Sequence, residues 1–523
     1  MVSAKEEGIP LPHFWNVCVG AGRANEGLRA RWLEHLRLAK AKCGFQYVRF
    51  HGLFHDDMFV CREQDGERIY NFQYIDELFD SMLELGVRPF VELGFCPDYM
   101  ATEKGTVFWW KGHGSPPNDY SLWAELVDRF VRHCVARYGL DEVLCWYFEV
   151  WNEPNLDPFF RGTKSQYFEL YRTSAQTIKA IDARLKVGGP STSNFVPDGR
   201  FDGEREDASL QMTHKVGALD ALEWKGVWIE DFLAFCAAEK LPLDFLSTHP
   251  YPTDFALDGH GQCIGRSRSV HSTRDDLRWL RRVVDNSSYP NAEIHLTEWS
   301  SSPSSRDHSH DHLPVAAFIL KTNLDSRRLV DSLSYWVFTD VFEEAGAGDT
   351  IFHGGFGLIN LQGIVKPTFH AYRFLAALGD QELAASDGLF VSRHSSDGAV
   401  TALAYHYPEE YPQAVAMAKT ADEAEAVMKH GQPRCFTLRL SDLPPGAAFL
   451  VETLDRQHGF ALEAWKQMGA SATPNREQTR MLREAAMAVR KEFVTVGADG
   501  ILAFETTLEP WSIACLSQIR DHK

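Results

Sequence analysis

Eight times between residues 15 and 379, a short apolar run rich in β-branched and aromatic residues gives way to a longer segment whose apolar residues recur at helical spacing. The short runs are FWNVCVG, YVRFHGL, VRPFVELGF, WYFEVWNEP, KVGGPSTS, FLSTHPYP, EIHLTEWS and SLSYWVFTD. Behind them come LRARWLEHLRLAKAKCG, YIDELFDSMLELG, SLWAELVDRFVRHCVARYG, YFELYRTSAQTIKAID, WIEDFLAFCAAEK, DDLRWLRRVVDNS, LPVAAFILKTNL and TFHAYRFLAALG. Alternating strand and helix segments are the signature of β-α units in a parallel sheet, whose two buried faces need continuous apolar character. Eight such units predict an α/β fold, a closed (β/α)8 TIM barrel over 15–379.

Beyond about Leu378 the period changes. LFVSRHS, AVTALAYHY, CFTLRLSDL, FLVETLD, FVTVGADG and WSIACLSQI alternate with period two and are separated by turn residues, which predicts a C-terminal accessory β-sandwich domain over 380–523. Helical spacing interrupts it at Ala421–Met428 and Arg476–Lys491. Residues 1–14 are too short for a unit and read as a segment joining the β-sandwich.

The formal charge of −19 on 523 residues excludes a surface built to neutralise phosphate, so neither nucleic acid nor an anionic membrane is expected as a partner. Lys5, Glu6 and Glu7 stand where a secretory signal would need an apolar stretch, and no later run approaches a membrane span; a cytoplasmic address is the expectation. The ten cysteines are scattered singly and read as buried small hydrophobes, with no cofactor or metal implied. No motif speaks to the oligomeric state.

Barrels of this kind carry their chemistry at the C-terminal ends of the strands. The fourth strand ends in Asn152-Glu153-Pro154 and the seventh in Thr297-Glu298-Trp299. These strands lie across the barrel from each other, so both carboxyls can face one pocket. Two opposed carboxyls, one protonating a leaving oxygen and one attacking or directing water at an anomeric carbon, are what glycoside hydrolysis requires. The flanking Trp151 and Trp299 suit a sugar, whose C–H faces pack on aromatic rings.

FEVWNEPNL, HLTEWSSSP, the THPYP between them and WVFTDVFEE after them resemble glycoside hydrolase family 39, whose members are mainly β-xylosidases and α-L-iduronidases. The resemblance implies a retaining double displacement with Glu153 as general acid/base and Glu298 as nucleophile. It implies that Asn152 hydrogen-bonds the sugar 2-hydroxyl, that His249 and Tyr251 line the sugar site and orient the nucleophile, and that Trp336 forms an aromatic floor beside a non-proline cis peptide. Glu343 and Glu344 match positions that bind sugar hydroxyls, and His51, at the end of the second strand, reaches the same sugar. The implied substrate is a short β-1,4-xylo-oligosaccharide that loses xylose from its non-reducing end. Arabinosidase, β-glucosidase and α-L-iduronidase activities remain alternatives, as does a non-catalytic carbohydrate-binding protein on a hydrolase scaffold.

Strand parity adds two expectations, and the implied double displacement adds a third. Glu149 shares parity with Glu153 and must point into the barrel lower down, where it needs a partner; Arg49, of like parity on the second strand, is the candidate. Asn152 has the opposite parity and reaches the pocket only where the strand bulges or has ended, and Pro154 is consistent with an ending. Glu153 must begin protonated and Glu298 ionised, about 5 to 5.5 Å apart in a retaining site. His308, His310 and His312 read as a wall of the substrate pocket rather than a metal cluster, and residues 193–215 as a mobile surface loop.

Overall fold

The computed structural model describes residues 1–254, 266–341 and 344–520. Eight parallel strands close into a barrel in simple chain order: β1 (Cys18–Arg23), β2 (Tyr47–His51), β3 (Arg88–Leu93), β4 (Tyr147–Val150), β5 (Lys186–Ser193), β6 (Phe245–His249), β7 (Glu293–Trp299) and β8 (Ser332–Tyr335). Closure is made by Tyr335 pairing with Val19. The barrel is a packed core, with every residue of β1, β4, β6 and β8 buried.

The intervening helices are α1 (Ala30–Cys43), α2 (Gln73–Glu84), α3 (Tyr120–Tyr138), α4 (Lys164–Ile181), α5 (Ile229–Glu239), α6 (Ser272–Asp285), α7 (Leu313–Asp325) and α8 (Pro367–Ala376). In α3, Trp123, Leu126, Val127, Phe130, Val131 and Cys134 are buried, the i, i+3, i+4, i+7 stripe of a helix covering a sheet. Helix α4 begins where Thr163 accepts from Gln166 N and Gln166 accepts from Thr163 N, a reciprocal cap that fixes where the long β4–α4 loop returns to the barrel wall. Helix α7 has no polar stripe. Its residues Leu313–Leu324 are all buried, because the barrel covers one side and the second domain the other.

That domain has two sheets. One contains Ile9–Pro10, β9 (Gln381–Ser386), β10 (Leu389–Arg393), β11 (Val400–Tyr405), β16 (Ile513–Gln518), β13 (Ala448–Leu454) and β14 (Arg490–Thr495), in that spatial order. The other contains Val2–Ser3, β12 (Arg434–Ser441) and β15 (Leu502–Leu508). The N-terminal residues thus pair with both sheets. Helices α9 (Ala421–Val427), α10 (Ala461–Gln467) and α11 (Arg476–Met487) interrupt the domain. The last is shorter than its spacing predicts: Ala488 leaves helical geometry and Arg490–Lys491 enter β14. Cys435 also departs from expectation, since the alternation along β12 turns it outward while Phe436 is buried. Cys263 lies outside the described residues.

Candidate active site

Arg49 on β2 organises the upper layer of the barrel. Its guanidinium is fully buried and reaches Glu149 Oε2 through Nε (2.7 Å), Asn152 Oδ1 through Nη2 (2.9 Å) and Glu298 Oε1 through Nη1; Glu92 Oε2 lies 3.0 Å from Nη2. One planar cation therefore binds three carboxylates on three strands, using a fixed fork of donors that lysine lacks. Burial disfavours its charge, but the three carboxylates outweigh that and drive its pKa above the ordinary arginine range. The expected Arg49–Glu149 pairing is present. Glu92 was not singled out in the sequence, although it is legible by the argument that found Glu149: its Cα is the register partner of Glu149 across β3 and β4.

The end of β4 shows how Asn152 overcomes its parity. The strand stops at Val150, and Trp151 and Glu153 both take positive φ, 72° and 43°. Glu153 N then donates to Ser191 O at 3.0 Å, and Ser191 Oγ donates to Trp151 O, also at 3.0 Å, beside an irregularity in the β5–β6 register. This off-strand turn brings Asn152 back over Arg49 while Glu153 still faces the pocket. Left-handed backbone at two such residues is strained and persists only where neighbours enforce it.

Glu153 and Glu298 converge. One oxygen of each carboxyl and a ring nitrogen of His249 all lie within 4.8 Å of one another. His249 Nδ1 is 2.9 Å from Glu153 Oε1, and its Nε2 is 2.9 Å from Thr297 Oγ1, whose hydroxyl donates to Glu149 Oε1 at 2.7 Å. Tyr251 donates its hydroxyl to Glu298 Oε2 at 3.3 Å. Burial pushes Glu153 up to about 7, with Ser193, His51 and Arg49 only partly opposing it, and pushes His249 down to about 4. Glu298 is also raised by burial, with His249, Arg49 and His51 pulling against it. The Glu153–His249–Glu298 trio could in principle hold a cation, but Glu298 already binds Arg49 and both ring nitrogens of His249 are engaged.

His51 places Nδ1 2.7 Å from Glu92 Oε2 and Nε2 3.5 Å from Glu298 Oε1. Its ring lies 4.7 Å from that of Trp336 and stacks at 6.0 Å on Phe108, a pocket aromatic that sequence reasoning missed because it sits in a long loop. The Trp336–Val337 peptide is cis, as expected. Gly20 makes room for the Trp336 indole: a Cβ there would meet the ring at 2.4 Å. Glu344 is buried, and its Oε2 has no hydrogen-bond partner among the described residues. Burial, then Glu298 and Glu153, drive its pKa well above the carboxylate range, against the pull of Arg306 and Ser305. Glu343 lies outside the described residues.

Two of the three histidines after β7 have ring contacts that fix them in place. His310 is buried between Ser300 Oγ (3.4 Å) and Gly354 O (3.2 Å), while His312 Nδ1 meets His308 O (2.8 Å) and its ring faces Phe460 of the second domain. His310 and His312 thus contact backbone carbonyls, and the His312 ring also contacts the second domain. Residues 193–215, expected to be a mobile surface loop, are anchored: Phe195–Val196 pair with Lys225–Gly226, Arg200 is buried and donates to Asp254 O (2.6 Å), and Asp198 accepts from Met212 N (3.0 Å).

A closed (β/α)8 barrel with two carboxyls of unequal environment facing each other at the C-terminal mouth, among histidine, tyrosine and tryptophan, defines a glycoside hydrolase. The chain belongs to glycosyl hydrolases family 39, whose family model matches residues 1–199 and 209–503. It is 35% identical over 517 residues to a β-xylosidase of Geobacillus stearothermophilus, covering 97% of this chain and 93% of that one. It is 34% identical over 514 residues to a β-xylosidase of Caldicellulosiruptor saccharolyticus, covering 96% and 95%. The crystal structure of the family 39 enzyme from Xanthomonas axonopodis pv. citri superposes with a TM-score of 0.84 at 34% identity, covering 99% of this chain and 96% of that one.

Proposed function

We propose that the protein is a retaining β-xylosidase that removes xylose from the non-reducing end of short β-1,4-xylo-oligosaccharides, in the cytoplasm. The observation carrying the mechanism is the carboxyl spacing. Oxygens of Glu153 and Glu298 within 4.8 Å fit the close spacing of a retaining site, about 5 to 5.5 Å, and not the roughly 6.5 to 9.5 Å of an inverting one.

Glu298, steadied by Arg49 and Tyr251, attacks the anomeric carbon as Glu153 delivers its proton to the glycosidic oxygen, and the shortened saccharide leaves. Glu153, now a carboxylate, takes a proton from water; the resulting hydroxide oxygen bonds to the anomeric carbon and the Glu298 ester is released. Asn152 serves the 2-hydroxyl, His51, Glu344 and Glu343 serve further hydroxyls, and Trp336 supplies the apolar floor. A neutral pentoside is favoured over a uronide by local charge. Arg49 is consumed by three carboxylates, and Arg306 donates to the carbonyls of Ser305 and Gly346, so neither cation is left to pair with a substrate carboxylate.

The test is a panel of aryl glycosides with NMR of the first-formed product. Turnover of the β-xyloside with β-xylose appearing first is expected. Initial α-xylose would sink the mechanism, and preference for an iduronide or arabinoside would sink the substrate.

A further inference from the structure

The contacts running back from Glu153 have a direction. Glu149 Oε1 can only accept, so the Thr297 hydroxyl spends its one hydrogen there. The 2.9 Å contact between Thr297 Oγ1 and His249 Nε2 must then be made by an Nε2–H of the imidazole. In the neutral ring that leaves Nδ1 as a bare lone pair, and its 2.9 Å contact with Glu153 Oε1 closes only when Glu153 carries the hydrogen. Arg49, bound to the other oxygen of Glu149, holds the far end of the chain.

We propose that Thr297 and Glu149 are positioning residues that lock His249 in the Nε2–H tautomer and thereby hold Glu153 in its protonated, proton-donating form. This rests on the assignment of Glu153 as the acid. The chain cannot simply reverse, because Glu149 has no hydrogen to return. Once Glu153 has given up its proton, its carboxylate faces a lone pair on Nδ1, and recapturing a proton from water in the second half-reaction relieves that repulsion. The low pKa that burial gives His249 agrees with a neutral ring.

Other groups also face Glu153: Arg49 and His51 from β2, Glu92 from β3, Ser193 from β5, Glu298 from β7, Tyr251 beyond β6 and Glu344 beyond β8. None of them is removed by a change at Thr297, which makes that residue the discriminating probe. In Thr297→Val the Nε2–H loses its acceptor, the Nδ1–H tautomer becomes available to donate to the Glu153 carboxylate, and the basic limb of the kcat/KM profile on an aryl xyloside should move to lower pH by about one unit. Thr297→Ser, which keeps the hydroxyl, should leave the limb in place. A limb unmoved in Thr297→Val, or moved equally in Thr297→Ser, overturns the proposal.

A second readout needs no change at Thr297. Nitrogen-15 spectra of the histidine-labelled enzyme, with His249 assigned by comparison with His249→Gln, should show its neutral Nε2–H form; the Nδ1–H form overturns the proposal. Failure of the underlying assignment looks different: the basic limb would then survive in Glu153→Gln.

Discussion

The same strands carry two layers of opposite character a few ångströms apart. In the lower layer Phe90 stacks on Tyr147 at 4.8 Å and 9°, Phe245 and Tyr47 pack edge-on against Tyr147, and His295 closes the ring with Nδ1 on Ser332 Oγ at 2.7 Å. One step up, at Arg49, Glu92, Glu149 and Thr297, apolar contact is replaced by a buried ionic network. The lower layer stabilises mainly through area and shape, with a single ionic rim where Glu293 meets Tyr147, His295 and Lys186. The upper layer is tolerated because one guanidinium holds its carboxylates in place, and it keeps carboxyls where chemistry can use them.

Breaking the upper layer at its reactive end should have the largest effect. Glu298→Ala is expected to lower kcat on an aryl xyloside by roughly 10⁴-fold or more with little change in melting temperature; near-normal turnover would refute its assignment. Glu153→Ala should lose about 10² to 10⁴-fold, less on substrates with good leaving groups, so a steeper leaving-group dependence than wild type is the signature.

Arg49→Met strips the counter-charge from three carboxylates and should reduce stability by about 3–5 kcal/mol in chemical denaturation as well as removing activity. The lower layer provides the contrast: Phe90→Ala should be about as destabilising, 3–5 kcal/mol, yet leave kcat within several-fold at a temperature where the variant is folded. A large kcat loss in that variant would mean the layers are not separable.

The smallest effect sharpens the electrostatic side. Because burial raises Glu153 to about 7 in the folded state, its proton-linked contribution to stability is fully present below the ordinary carboxyl range and is lost as pH rises toward and through 7. The melting temperature should therefore fall less between pH 5 and pH 8 in Glu153→Gln than in wild type; equal slopes would deny the raised pKa.

Much of this architecture was legible without coordinates. The alternation of strand and helix periods points to a parallel sheet, and eight consecutive units of it match a closed barrel, whose strand ends bear Glu153 and Glu298. Parity alone paired Arg49 with Glu149. It did not single out Glu92, which the same rule covers, nor Phe108, which no periodicity reaches. Composition suggests a mobile surface loop for residues 193–215; residues 202–210 are exposed, but polar, glycine-rich composition does not disclose that Arg200 and Asp198 anchor the segment from within.

What the linear chain determines by itself is which residues share a face and which end of each strand they occupy, since pleat and helix periods are local properties. Whether a carboxyl there holds a proton, which way Asn152 turns, and which tautomer His249 adopts were decided only by tertiary structure. Those depend on partners roughly 50 to 250 residues away along the chain, such as Thr297 for His249 and Glu298 for Arg49, and on the exclusion of water that their convergence produces.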